Sequence, residues 1–241
     1  MGKTVALILA GGKGTRLQPY TTVLPKPLMP VGDYPILEIV IRQLKRFGFK
    51  RIILTIGYHY ELFQAFFQAG KRWGIRIEYS REDRPLGTVG PLKLIKNLDE
   101  NFLVMNGDTL TDLNYRTLYR LHMQENNIMT VATKRRSVRI DYGVIKDDKD
   151  NNLNSYTEKP ELNYTVAMGV TVMSKKVLDL IPERKHFDLP DLVKEMIRRM
   201  IPIRCYHFEG YWLDIGRPED YQLAVEQFRE NKKIFLGNNG L

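Results

Sequence analysis

The 241-residue chain is 43% hydrophobic and 27% charged, an ordinary globular composition that excludes intrinsic disorder. Its 37 Lys and Arg outnumber 28 Asp and Glu, and the formal net charge of +9 favours anionic partners: nucleic acid, an anionic membrane or phosphorylated small molecules. The single cysteine, Cys205, excludes an internal disulfide and fits a reducing compartment.

Val5 to Ala10 is a continuous apolar run cut off by Gly11-Gly12-Lys13. It is too short for a signal-peptide core or a membrane span, and predicts a strand buried on both faces in a cytoplasmic protein without a membrane partner. Pro35 opens a helical pattern with Ile36, Leu37, Val40, Ile41, Leu44 and Phe47 on one broad face, and Gly48 stops it. Arg51 to Ile56 reads as a second buried strand, Tyr60 to Ala69 as a helix with a core of Phe63, Phe66 and Phe67, and Ile75 to Tyr79 as a strand near a sheet edge. Gly90 to Leu98 reads as helical, and Phe102 to Met105 as a buried strand ending at Asn106-Gly107-Asp108. This alternation with short connections predicts an α/β fold with a mostly parallel sheet and helices on both faces. The second half is richer in strands, at Met129 to Lys134, Tyr142 to Lys146, Asn154 to Glu158 and Thr165 to Met173. Asp188 as N-cap and Pro190 in the first turn predict a helix to Met200, and Pro218 to Glu230 a last one.

The strongest chemical signal is Leu9-Ala10-Gly11-Gly12-Lys13-Gly14-Thr15-Arg16, a buried strand running into a loop of three glycines with two cations. Glycines let backbone N–H groups approach an anion, and phosphates bind at the carboxyl ends of strands in open α/β sheets. The glycines alone fit a tight structural turn equally well; Lys13 and Arg16 favour phosphate. The spacing is neither that of a P-loop nor that of the dinucleotide fingerprint. In Leu24-Pro25-Lys26-Pro27-Leu28 two prolines fix the backbone and hence the direction of one cation, which suits neutralisation of charge in phosphoryl transfer. Asp108 closes a strand where a carboxylate can hold Mg²⁺ against substrate phosphates. Asp214, set among Trp212, Leu213 and Ile215, needs a cation, either a metal or a neighbour such as Arg217. Glu158-Lys159 at a strand end could bind a sugar hydroxyl and a sugar phosphate. Lys134-Arg135-Arg136 with Arg139 reads as a solvated loop. The four histidines, His59, His122, His186 and His207, lack metal-ligand spacing and read as structural or exposed. No basic residues interleave with exposed aromatics, so no nucleic-acid partner is predicted.

Taken together, Leu7 to Pro30, Leu86 to Leu92, Asn106-Gly107-Asp108, Glu158-Lys159-Pro160 and Tyr211 to Tyr221 resemble, in order, the motifs of the sugar-1-phosphate nucleotidyltransferases, over about residues 4 to 228. The resemblance implies a Rossmann-like, mixed but mostly parallel central sheet flanked by helices, with a smaller β-rich sugar-binding part and no C-terminal left-handed β-helix. It implies one catalytic domain, 1–241, in which 1–128 mainly bind nucleotide, 129–217 mainly bind sugar phosphate and 218–241 form a C-terminal helix and tail. The implied reaction joins a nucleoside triphosphate to a sugar 1-phosphate by in-line attack on the α-phosphorus, with loss of pyrophosphate. Leu9, Ala10, Gly11, Gly12, Lys13, Gly14, Thr15, Gly87, Thr88, Asn106 and Gly107 would hold the nucleotide. Arg16 would hold the pyrophosphate, Lys26 the α-phosphate and Lys159 the sugar phosphate. Asp108 and Asp214 would share one Mg²⁺, and Tyr142, Gly143, Glu158 and Gly169 would face the sugar.

Glu82 stands where uridylyl and thymidylyl members often carry Gln. A carboxylate can accept hydrogen bonds from guanine N1–H and its 2-amino group. The run Glu82 to Leu92 also most resembles mannose-1-phosphate guanylyltransferases, so GTP and mannose 1-phosphate are the expected substrates. Ala167-Met168-Gly169-Val170 lacks the Asn that many members carry there. Heptose 1-phosphate, or glucose 1-phosphate with another base, therefore stays open, as does a non-catalytic regulatory subunit. With no β-helix for assembly, any homo-oligomer would form through the catalytic domain's own surface.

Overall fold

The computed structural model describes residues 4–12 and 14–237. Lys13 lies outside them.

The chain runs β1 (Val5–Leu9), β2 (Pro30–Val31), β3 (Tyr34–Pro35), α1 (Ile36–Arg46), β4 (Arg51–Ile56), α2 (Tyr60–Phe67), β5 (Arg76–Arg81), β6 (Asn101–Asn106), β7 (Thr109–Thr111), α3 (Tyr115–Gln124) and β8 (Met129–Arg139). It continues through β9 (Val144–Asp147), β10 (Leu153–Thr157), β11 (Glu161–Ser174), α4 (Leu189–Arg198), β12 (Ile203–His207), β13 (Trp212–Asp214) and α5 (Pro218–Leu236). Seven strands form one sheet in the order β12-β8-β11-β6-β1-β4-β5. All its pairings are parallel except the two made by β11, with β6 and β8. The described residues hold no left-handed β-helix.

Two cores follow from the period-2 alternation of the central strands. Ala6, Ile8, Ile52, Leu54, Ile56, Leu103 and Met105 face one side, where α1, α2 and α3 bury Leu37, Val40, Leu44, Phe63, Phe67 and Leu118 against them. Val5, Leu7, Ile53, Phe102 and Val104 face the other, against Val89, Leu92 and the Leu192–Met196 face of α4. Each such aliphatic or aromatic side chain contributes roughly 1.5–3 kcal/mol on full burial. A third cluster joins α5, through Ala224, Phe228 and Phe235, to Leu17, Met29 and Val31 of the N-terminal loop.

Several sequence expectations change. Gly90 to Leu98 is not an α-helix: a 3₁₀ turn covers Gly90–Leu94, and Ile95 is already extended. Phe187 O receives both Val89 N–H and Gly90 N–H, so these backbone groups are satisfied from outside a helix. The basic run at Lys134 is not a loop. β8 continues to Arg139, paired residue by residue with β11 beyond a bulge at Ala167/Thr171, as far as Arg139 opposite Glu161. There Lys134 Nζ donates to the carbonyls of Glu209 and Gly210, and Arg136 lies over the Trp212 ring. Phe66 is exposed, while Phe63 and Phe67 are core. Helix α3, capped by Asn114 Oδ1 accepting from Thr117 N–H, and edge strand β12 were not foreseen. No described helix is long and apolar enough to cross a membrane.

Candidate active site

The chain leaves β1 for β4 and β5 on one side, then returns to place β6 on the other. This reversal leaves a crevice at the carboxyl ends of β1 and β6, where open α/β sheets take ligands. A cavity of about 750 Å³ opens there. Leu9, Ala10, Gly11, Gly12, Gly14, Thr15, Arg16, Lys26, Glu82, Gly87, Thr88, Asn106 and Asp108 all line it.

Gly11 and Gly14 of the loop sit where a side chain would crowd its neighbours, whereas Gly12 faces open space. A Cβ on Gly11 would stand 3.2 Å from Gly57 N and 3.4 Å from Glu82 Oε1. Gly14 has φ 63°, and a Cβ there would meet Thr21 at 3.1 Å and Lys26 at 3.2 Å. Gly14 O accepts from Leu17 N–H and from Thr21 Oγ1, which tightens the turn carrying Arg16.

Lys26 heads a short 3₁₀ turn, Lys26–Leu28, set by Pro25 and Pro27 and closed by Leu28 N–H donating to Pro25 O. Its side chain, 8% exposed, is aimed at Asp108, with Nζ 2.6 Å from Oδ2. The other oxygen, Asp108 Oδ1, is buried and has no hydrogen-bond partner. β13 pairs with β7 so that Asp214 stands opposite Thr109, one residue beyond Asp108. Burial, then the Asp108 carboxylate, raises the Asp214 pKa above its usual value, while Lys26 and Arg16 pull it the other way. These two cations, not Arg217, are the positive neighbours of Asp214. A buried oxygen without a donor beside a second half-buried carboxylate is the donor set a divalent cation satisfies.

Glu82 accepts Leu86 N–H on Oε2 at 2.9 Å, leaving Oε1 beside Gly11. Burial raises its pKa, and the Leu86 hydrogen bond partly offsets this.

Gly107 is not a lining residue. A Cβ there would lie 3.2 Å from Ile8 and 3.3 Å from Leu9 O, so it allows the end of β6 to lie close against β1. Gly169, with φ 71°, packs against Asn106, where a Cβ would stand 2.6 Å from Nδ2. Tyr142, Gly143, Glu158 and Lys159 belong to the exposed β9–β10 arm and do not line the cavity. There the Tyr156 hydroxyl donates to Glu158, Lys159 Nζ is 3.9 Å from Glu158, and Gly143 lies under the Tyr156 ring. Lys159 has φ 44°, a left-handed conformation costly for a residue other than glycine.

Sequence reasoning missed His186 and Asp188, which line the cavity although they lie on the approach to α4. The N-cap position of Asp188 was legible, but its direction was not. His122, by contrast, is structural: it is buried between Thr130 Oγ1 at 2.9 Å and Asn101 Oδ1 at 3.0 Å.

With this geometry in hand, the chain is placed by descent. It belongs to the nucleotidyl transferase family, whose model matches residues 5–231. It is 32% identical, over 91% of its length, to a UTP–glucose-1-phosphate uridylyltransferase from Synechocystis, and 33% identical, over 89%, to a mannose-1-phosphate guanyltransferase from Candida albicans. It spans 62% of the length of each of those two relatives. It is also 33% identical, over 90% of its length and 96% of the relative's, to a D-glycero-alpha-D-manno-heptose 1-phosphate guanylyltransferase from Campylobacter jejuni. The structure of HddC from Yersinia pseudotuberculosis superposes with a TM-score of 0.72 at 27% identity, covering 93% of this chain and 99% of that one.

Proposed function

We propose that this protein transfers a nucleotidyl group from a nucleoside triphosphate to a sugar 1-phosphate, releasing pyrophosphate. The observation that carries the reading is the Lys26–Asp108 pair at the mouth of the glycine loop, with Asp108 Oδ1 buried and unbonded beside Asp214. The sugar phosphate is already an anionic nucleophile, so the site needs no general base. Its work is to align two anions and offset their charge. The glycine-loop N–H groups and Arg16 would take the triphosphate, Arg16 at the end that leaves. Lys26 would neutralise charge on the α-phosphate. Asp108 and Asp214 would hold one Mg²⁺, which when bound draws charge off the phosphate oxygens. Lys159 and Glu158, on the arm, are the proposed contacts for the sugar phosphate and the sugar, with Tyr142 and Gly143 of the same arm and with Gly169, which packs against Asn106.

GTP is the proposed nucleotide. Glu82 puts an acceptor, Oε1, on the cavity wall and has a second oxygen only partly engaged by Leu86 N–H. Guanine offers N–H donors to such a group, whereas uracil and thymine would also turn carbonyl oxygens toward it. Two of the relatives named above are guanylyltransferases, and one is a uridylyltransferase. The proposed acceptor is mannose 1-phosphate or a manno-configured heptose 1-phosphate, the sugars named for those two guanylyl relatives.

The test is pyrophosphate release with Mg²⁺ across the four common nucleoside triphosphates and a panel of hexose and heptose 1-phosphates. Turnover confined to GTP with a manno-configured sugar is expected. Turnover with UTP and glucose 1-phosphate alone would overturn the substrate assignment, and silence with every pair would overturn the activity.

A further inference from the structure

Residues 86–90 and 187–189 come from segments about a hundred positions apart, yet hydrogen bonds tie them together. Leu86 O accepts from Phe187 N–H at 2.9 Å, and Phe187 O accepts from Val89 and Gly90 N–H. No side chain fits between them at Gly87, where φ is 80° and a Cβ would stand 2.7 Å from Phe187 O and 2.8 Å from Asp188 Oδ1. The centre of the contact is Asp188. Its Oδ1 accepts from Thr88 N–H at 2.9 Å and from Thr88 Oγ1 at 3.2 Å, and Thr88 Oγ1 in turn accepts from Leu189 N–H at 2.7 Å.

An Asp at a helix N-cap ordinarily turns its carboxylate onto its own first turn. Asp188 sits in a capping box of this kind, its own N–H received by Asp191 Oδ2 at 3.0 Å, and in addition turns Oδ1 across to Thr88. The same loop is anchored at its other end by Leu86 N–H on Glu82. Asp188 and Glu82 are thus the two fixed ends of one wall of the cavity, and both border the space between them.

We infer that Asp188 is a positioning residue for the nucleotide: it latches Thr88 and so holds the Glu82–Thr88 wall at the distance a nucleoside needs. This rests on the nucleotidyl-transfer reading and assigns that site a residue from outside its sequence motifs. Asp188 acts through Thr88 and not on the reacting phosphate, which would sit at the opposite end, by Lys26. Its loss should therefore weaken nucleotide binding more than it slows the chemical step.

The experiment compares Asp188→Ala with Asp188→Asn in steady-state kinetics. Loss of hydrogen bonds to a charged group should raise the nucleotide KM about tenfold in Asp188→Ala, with kcat falling by less than KM rises. Asp188→Asn keeps an oxygen for Thr88 N–H and should recover most of that affinity. The preference for the best nucleotide over the next should narrow in Asp188→Ala, and the sugar-phosphate KM should not move. A merely structural role would lower the active fraction and leave every KM and that preference in place, which would overturn the inference. Should Asp188→Ala fail to fold, Asp188→Ser, which keeps an N-cap hydroxyl but is too short to reach Thr88, carries the test by calorimetric nucleotide titration: a weaker Kd is expected, and a Kd equal to the wild type's would overturn the inference. Wild-type turnover is the control. Its absence counts against nucleotidyl transfer itself, whereas normal wild-type turnover with unmoved KM in the variants counts against the latch alone.

Discussion

Lys26 and Asp108 form an ion pair at 2.6 Å in which only one carboxylate oxygen is satisfied; the other is buried and unbonded. A buried acceptor without a donor is costly, roughly 1–3 kcal/mol and more for a charged group. Folded proteins keep such groups where a ligand completes them. The N-terminal glycine loop, the β6 end and β13 converge on this point, although they lie in different thirds of the chain.

Asp108→Asn removes the charge while keeping the shape. Turnover should fall by on the order of a hundredfold or more, and its dependence on Mg²⁺ should weaken, because one of two carboxylates is lost. The thermal midpoint should fall modestly, because the buried Lys26 ammonium loses its charged partner but keeps an amide oxygen to donate to. Wild-type kcat and an unchanged Mg²⁺ titration would remove Asp108 from the site.

Lys26→Met keeps the stem and removes the cation. It leaves Asp108 unpaired, but the cost should be on the order of 2 kcal/mol, below the ~3–5 of a fully buried pair, because the Asp108 side chain keeps 22% exposure. Kinetically, kcat should fall further than nucleotide affinity, since the α-phosphate gains charge in the transition state. Equal losses in kcat/KM and in calorimetric nucleotide affinity would mark Lys26 as a plain binding residue.

Glu82→Gln alters the acceptor on the cavity wall. The ratio of kcat/KM for GTP over UTP should fall about tenfold, in line with a hydrogen bond to a charged group worth ~1.5–3 kcal/mol. An unchanged ratio would remove the argument for guanine.

Acid stability should be governed in part by His122. Asn101 Oδ1 can only accept, so Nε2 carries the proton and Nδ1 accepts from Thr130. Burial lowers its pKa from 6.5 to about 4. Between those values the unfolded chain binds a proton that the folded protein refuses, so this contribution is intact above pH 6.5 and is lost as pH falls toward 4. Urea unfolding at pH 7 and pH 4.5 should give a midpoint drop that is smaller in His122→Gln. An equal drop in both proteins would exclude His122 as the cause.

Which features could be read beforehand depends on how local they are. Leu9, Ala10, Gly11, Gly12, Gly14, Lys26 and Pro27 lie in short stretches with local signatures, and the structure brings them together at one cavity. The Thr88–Asp188 contact joins residues a hundred apart, so no spacing announces it. Helix α3 buries little more than Tyr115, Leu118 and His122, too sparse a stripe to stand out. The Lys134 to Arg139 run carries the charges of a loop, yet it is held as a strand by its partner β11, a tertiary effect that local composition cannot encode. Lys159 and Glu158 were legible as a motif but lie on the exposed arm, away from the cavity.

The proposed reaction is attack on the α-phosphorus of a nucleotide held by the glycine loop beside Lys26 and Asp108. Parallel reactions with GTP labelled at the α- or the γ-phosphate, each with mannose 1-phosphate and Mg²⁺, test it most directly. The α label should appear in the nucleotide sugar and the γ label in pyrophosphate, with both products lost in Asp108→Asn. Release of the γ label as inorganic phosphate, with no α label joined to sugar, would contradict it.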